Sequence, residues 1–279
     1  MHSDGKKRRF ALLLPPVICD VRLLGKVRMN NNYLFNKDWM KIAHAEDSWA
    51  KVVLDDIDNY GSVYLDSLSE WFRKLPGSNK QKNHLKAGLL NSDNCAHLGA
   101  VNELSWWVYL TSRELSLDRI PEGRTPTPDF VLNSDKGNII FEVTTLNPSK
   151  DISCNDLQYS QVNSLRRIVR KVTEDKLKQF IYGAEKNIPV VLILFNYDEW
   201  SGFSTQFFHK LKDSIVDCVL PKELSAIIYL ERFVVKGRSL YKQESASVFR
   251  NPKAQFSLKL DVIEPLLSSE NDRLPCEKA

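Results

Sequence analysis

The residues whose types and spacing could do chemistry gather around Asn133-Ser134-Asp135-Lys136-Gly137, a hairpin-turn composition between two short strand-like runs, 127–132 and 138–146. Placing the turn at Asp135-Lys136 pairs Leu132 with Ile139, Phe130 with Phe141, and Asp129 with Glu142. The apolar pairs then share one face, while Asp129, Val131, Ile140, Glu142 and Thr144 occupy the other. Two carboxylates facing each other with ~5 Å between β-carbons repel. A raised pKa on one acid, exposure at a sheet edge, or a cation bound by both would each remove the repulsion. A solvated polar face is the plain structural alternative.

Two further groups converge on this pair. Glu103 lies at the margin of a helical stripe, with Ala100 and Trp107 as its neighbours one turn away, so it leans toward the sheet that its helix would cover. A long helix expected over 156–183 has the inward stripe Leu165, Val169, Val172, Lys176, Phe180, and the lysine interrupts it. An ammonium there is costly unless it is paired or snorkels to the core edge. At about 100° per residue, Lys171 and Lys178 point away from that stripe. Arg166, Arg167, Arg170 and Lys171 form a basic cluster expected on the outer face, either as phosphate contacts or as a solvated helical face.

The elements that must position these residues are legible in outline. Residues 1–93 read as a helical N-terminal region, with Trp39, Ile42, Trp49, Val52 and Val53 and then Val63, Leu65, Leu68, Trp71 and Phe72 at helical spacing. The stretch from Pro76 to His84 reads as turn or linker, and Asn91–Asn94 as a break. From 94 to 268 the order is helix to about Leu115, the two strands of the hairpin, the long helix, a buried strand over 189–195, a helix over 205–218, and a strand over 226–235. The expectation is an α/β core domain with a helical extension, and a frayed tail over 269–279.

The chain has 279 residues, 43% of them hydrophobic, and a formal charge of +4, which permits a nucleic-acid partner without implying one. No apolar run approaches the ~20 residues of a membrane span. The 5 cysteines are scattered, without metal-binding spacing, so the expectation is a soluble cytoplasmic protein with reduced thiols. There is no phosphate-cradling glycine loop, nucleophile elbow or HExxH.

Asn102-Glu103-Leu104, Thr127-Pro128-Asp129-Phe130, Phe141-Glu142-Val143-Thr144 and Lys176-Leu177-Lys178-Gln179, in that order, resemble the PD-(D/E)xK nuclease superfamily. The resemblance spans about 95–235 and implies a restriction-endonuclease-like αβββαβ core with a mixed central sheet. It further implies Mg2+ or Mn2+ held by Asp129, Glu142 and the main-chain carbonyl of Val143, with Glu103 binding directly or through water. The family's lysine belongs at position 144, where this chain has Thr144. Lys176 is the residue nominated to supply that cation from the following helix, and Gln179 matches a glutamine of related sequences that would orient water or phosphate.

The activity implied is metal-dependent phosphodiester hydrolysis, foremost as a double-stranded DNA endonuclease of restriction or phage-defence type, leaving a 5′-phosphate. The alternative is a catalytically decayed nuclease-like subunit used for nucleic-acid binding or assembly. The N-terminal region would then serve recognition, homodimerisation or contact with a partner subunit.

Overall fold

A computed structural model describes residues 34–42, 49–55, 57, 61–121, 123, 125–146, 166–196, 220–235, 238–241 and 247–258. The expected helix over 205–218, the first part of the helix over 156–183 and the tail lie outside these residues. The described chain is an α/β protein built on one seven-stranded mixed sheet. Helices α1 (Lys37–Ile42), α2 (Trp49–Asp55), α3 (Ser62–Lys74), α4 (Asn79–Leu89) and α5 (Asn94–Thr111) precede strands β1 (Ser116–Arg119), β2 (Phe130–Asn133) and β3 (Ile139–Leu146). Helical residues 166–170 then run into a π-helical turn (Lys171–Asp175) and helix α6 (Leu177–Glu185). Strands β4 (Val190–Asn196), β5 (Ala226–Val235), β6 (Arg238–Tyr241) and β7 (Ser247–Arg250) complete the sheet.

The hairpin register is the one expected for a turn at Asp135-Lys136: Phe130 pairs with Phe141, Val131 with Ile140 and Leu132 with Ile139. Its turn closes through the Gly137 amide donating to the Ser134 carbonyl, and Gly137 takes a φ of 124° that a side chain would resist. β1 adds antiparallel to β2, while β3, β4 and β5 run parallel, which requires the helical crossover that follows β3. From α5 to β4 the element order is αβββαβ.

Both faces of the sheet are covered, so β3 is buried along its whole length. On one face Phe130, Phe141, Val143 and Ile193 pack into a core shared with α5 and the N-terminal helices. On the other, Ile140, Leu192 and Ile227 meet Ile168, Val172 and Phe180 of the crossover. Gly183 lets α6 approach β4 closely, since a β-carbon there would lie 2.1 Å from Val190 Cγ2.

Three elements depart from the sequence expectation. The stretch from Pro76 to His84 was expected as linker, yet α4 starts at Asn79, because Leu85 and Leu89 and the stem of Lys82 give its polar sequence one buried face. α5 ends at Thr111 rather than about Leu115 and is buried on several sides instead of along one stripe, being the central helix between the sheet and α3 and α4. Its N-terminus is capped by Asp93, whose carboxylate accepts from the Ala96 amide. β1 is a third strand of the hairpin sheet, short and with Leu117 as its fully inward residue.

Candidate functional site

Pro128 has no amide hydrogen, and the β2 ladder stops beside it. Asp129 therefore leaves the strand in a distinctive way. Its amide donates to the Phe141 carbonyl at 3.1 Å and its Oδ2 accepts from the Val143 amide at 2.7 Å, so it grips both residues that flank Glu142. Its own carbonyl accepts from the Ile120 amide, tying β1 into the same junction.

Glu142 is 2% exposed. Its Oε1 accepts from Lys176 Nζ at 2.5 Å, while Oε2 is buried without a hydrogen-bond partner among the described residues. Burial pushes the Glu142 carboxyl up to about 8, and the Asp129 charge beside it pushes the same way against the pull of Lys176. Burial also raises Asp129, opposed by its bond from the Val143 amide and by the charge of Lys176. Burial acts to discharge Lys176, but attraction to Glu142 outweighs it and holds the ammonium above its ordinary range. Gln179, one turn beyond Lys176, has its Oε1 buried without a donor among the described residues.

Lys171 corrects the helical count. It was expected on the outer face with Arg166, Arg167 and Arg170, but its Nζ donates to Thr144 Oγ1 at 3.4 Å, on the same side as Lys176. The π turn is the reason. The Lys176 amide donates to the Lys171 carbonyl, five residues back, so these two lysines stack along one face where an unbroken α-helix would set them about 140° apart. Burial lowers Lys171, and the neighbouring Lys176 charge adds to the effect. Arg166 and Arg170 are exposed, Arg170 facing Glu174 and Asp175 at 3.8 and 3.5 Å, and Arg167 is half-buried. Lys178 is exposed, as the count requires.

Glu103 meets Arg119 of β1, with Oε1 accepting from Nη2 at 2.9 Å and both side chains largely buried. Its charge still reaches Lys176. Among the described residues no group of three or more His, Cys, Asp or Glu side chains is arranged to hold a metal ion. Two residues escaped the sequence reading: Arg119, and His84 on α4, whose charge acts on Asp129. The signal for both was hidden in elements too short or too polar to stand out.

The fold and site together define an α/β protein with one buried and one half-buried carboxylate, and a lysine at the junction of the π turn and α6, on one face of a mixed sheet. No family profile and no curated protein matches the sequence. A solved structure of SfsA from Pyrococcus furiosus in complex with Ca2+ is 13% identical with a TM-score of 0.24, over 51% of this chain and 60% of that one. A likeness that slight bears no weight for function. No helix among the described residues is long and apolar enough to cross a membrane.

Proposed function

We propose that this chain hydrolyses phosphodiester bonds in nucleic acid, foremost as a metal-dependent DNA endonuclease, with Asp129, Glu142 and Lys176 at its centre. The observation that carries the reading is Glu142: buried beside a second carboxylate, bonded to Lys176 through one oxygen and left without a donor at the other. A buried acid so placed is costly to keep and calls for a cation or a donor from a ligand. The resemblance to PD-(D/E)xK nucleases in residue types and order supports the same assignment.

The oxygen donors suit Mg2+ or Mn2+, and Mg2+ characteristically takes one or two protein carboxylates with water and substrate phosphate filling the remainder, so two acids suffice. Asp129, Glu142 and the Val143 carbonyl would hold the ion, with Glu103 reaching it through water. When bound, such an ion polarises a phosphoryl oxygen and makes its water more acidic. The chain's own groups do the rest. Lys176 balances the Glu142 charge beside the reacting phosphate, and Gln179 Oε1 accepts a hydrogen bond from the attacking water to orient it. Arg166, Arg167 and Arg170 contribute backbone phosphate contacts. A restriction or phage-defence setting fits this chemistry, and the N-terminal helices are the candidates for recognition or dimerisation.

A second reading, a nuclease-like subunit that binds without cutting, is favoured by Thr144 in place of the motif lysine and by the engagement of Glu103 with Arg119. The deciding experiment incubates the protein with duplex DNA, single-stranded DNA and RNA in Mg2+, Mn2+ or chelator. Cleavage that needs metal and falls at least ~1,000-fold in Glu142→Gln and Asp129→Asn supports the enzyme. Binding of the same substrates without cleavage in any metal supports the second reading.

A further inference from the structure

Lys176 and Lys171 face one site but are held differently. Lys176 is matched by the Glu142 carboxylate, with its side chain 22% exposed. Lys171 has a neutral hydroxyl, Thr144 Oγ1, as its hydrogen-bond partner among the described residues; it lies beside a second ammonium, and the charges of Asp175 and Glu142 reach it without bonding it. Thr144 is two residues past Glu142 on the same face of β3, so the hydroxyl holds the Lys171 ammonium next to the two acids. The π turn that produces this stacking costs the helix regular hydrogen bonds, and such turns are found mostly where a function uses them. An ammonium resting on a hydroxyl can exchange that partner for an anion at little cost, whereas one paired with a buried carboxylate cannot.

We propose that Lys171 is the substrate-contacting cation of this site, held by Thr144 so that its ammonium meets the scissile phosphate while Lys176 neutralises Glu142. The inference rests on the nuclease reading and assigns the phosphate contact to a residue outside the family pattern. Thr144 is then a positioning residue acting through Lys171.

The test compares wild type with Lys171→Met, Lys171→Arg, Thr144→Val, Thr144→Ser and the double variant Lys171→Met/Thr144→Val. Three quantities are measured: turnover of a labelled duplex in Mg2+, binding of that duplex in chelator across a salt series, and thermal melting to establish folding. Lys171→Met is expected to lower turnover ~100-fold. It should also make the log–log salt slope shallower by about 0.9, the loss of one phosphate contact. Lys171→Arg should keep the slope. Thr144→Val should lower turnover ~10-fold, Thr144→Ser should restore it, and the double variant should be no worse than Lys171→Met. Folded Lys171→Met with wild-type turnover and slope overturns the proposal and leaves the nuclease reading standing. A wild type that neither cuts nor binds nucleic acid overturns both.

Discussion

His97 and Glu142 are buried almost equally, 0% and 2% exposed, and each sits in a cluster of polar groups, yet the two clusters are built on opposite terms. His97 has every need met. Its Nδ1 donates to the Leu89 carbonyl at 2.9 Å, its Nε2 accepts from the Tyr64 hydroxyl at 2.5 Å, and its ring stacks on Trp49 with centroids 3.4 Å apart. Because a carbonyl accepts only, the proton is on Nδ1 and the ring is neutral, as burial demands. Around it, the Trp39 and Trp49 indoles donate to the Leu90 and Asn91 carbonyls and pin the first helices to the turn between α4 and α5. Glu142 by contrast has an unmet oxygen and a like-charged neighbour. Burial of a titratable group therefore separates nothing; what separates a structural cluster from a site is whether its polar atoms are already satisfied.

The widest separation between the clusters is expected in catalysis. Lys176→Met should lower metal-dependent turnover ~100-fold to 1,000-fold while the protein stays folded, because it removes the cation on Glu142. The exposed Lys178→Ala should stay within about 2-fold, as a surface change clear of the site. Equal small losses for both would dissolve the contrast by making these lysines general surface charge.

Stability should show the reverse order. His97→Ala removes two buried hydrogen bonds and a stacked ring, so urea denaturation should report a loss of about 3 kcal/mol, with turnover per folded molecule unchanged. Asp129→Asn, which relieves a repulsion while its amide oxygen can still accept from the Val143 amide, should fall between no change and a gain of about 1 kcal/mol in chelator, whereas Glu142→Gln also strips Lys176 of its counter-charge and should lose stability. A large loss from Asp129→Asn would move that acid into a structural network.

The pH dependence divides the clusters most finely. His97 is lowered by burial from 6.5 to about 3, so the unfolded chain binds the extra proton and stability falls as pH drops below 6.5. Glu142 is raised by burial from 4.5 to about 8, so the folded chain holds the extra proton and stability falls as pH rises from 4.5 toward 8. One proton gives a slope of at most about 1.4 kcal/mol per pH unit, and the two contributions oppose each other between 4.5 and 6.5. Thermal melts across pH should thus peak in that interval. His97→Gln should flatten the acid limb and Glu142→Gln the alkaline limb; an alkaline limb that survives Glu142→Gln would assign it to another group.

The parts legible in the sequence were those governed by strict period. Alternation of Phe130, Leu132, Ile139 and Phe141 about a turn at Asp135-Lys136 gives one register, and it carries Glu142 and Thr144 to the opposite face whatever surrounds them. Lys176 declared itself because an ammonium among Val172 and Phe180 must find a partner, and it does. Lys171 was misplaced because angular counting presumes one helical pitch, and nothing in Lys171-Val172-Thr173-Glu174-Asp175 signals the change to a π turn. β1 and α4 were hidden by having too few apolar residues to set a pattern, and with β1 went Arg119, the partner of Glu103. The Asp129–Val143 bond belongs to tertiary geometry, since it exists only where the ladder ends.

Gly183 ties the site to a contact that carries no chemistry. With its β-carbon position only 2.1 Å from Val190 Cγ2, the helix that follows Lys176 rests on the Val190 side chain at the start of β4 as a lever rests on its fulcrum, seven residues from the lysine. A side chain there would force either the helix or Val190 to shift, and a shift of the helix would carry Lys176 away from Glu142. Positioning errors of ~1 Å are enough to cost ~100-fold in rate, so the tolerance of the site is held by a residue with no side chain to recognise.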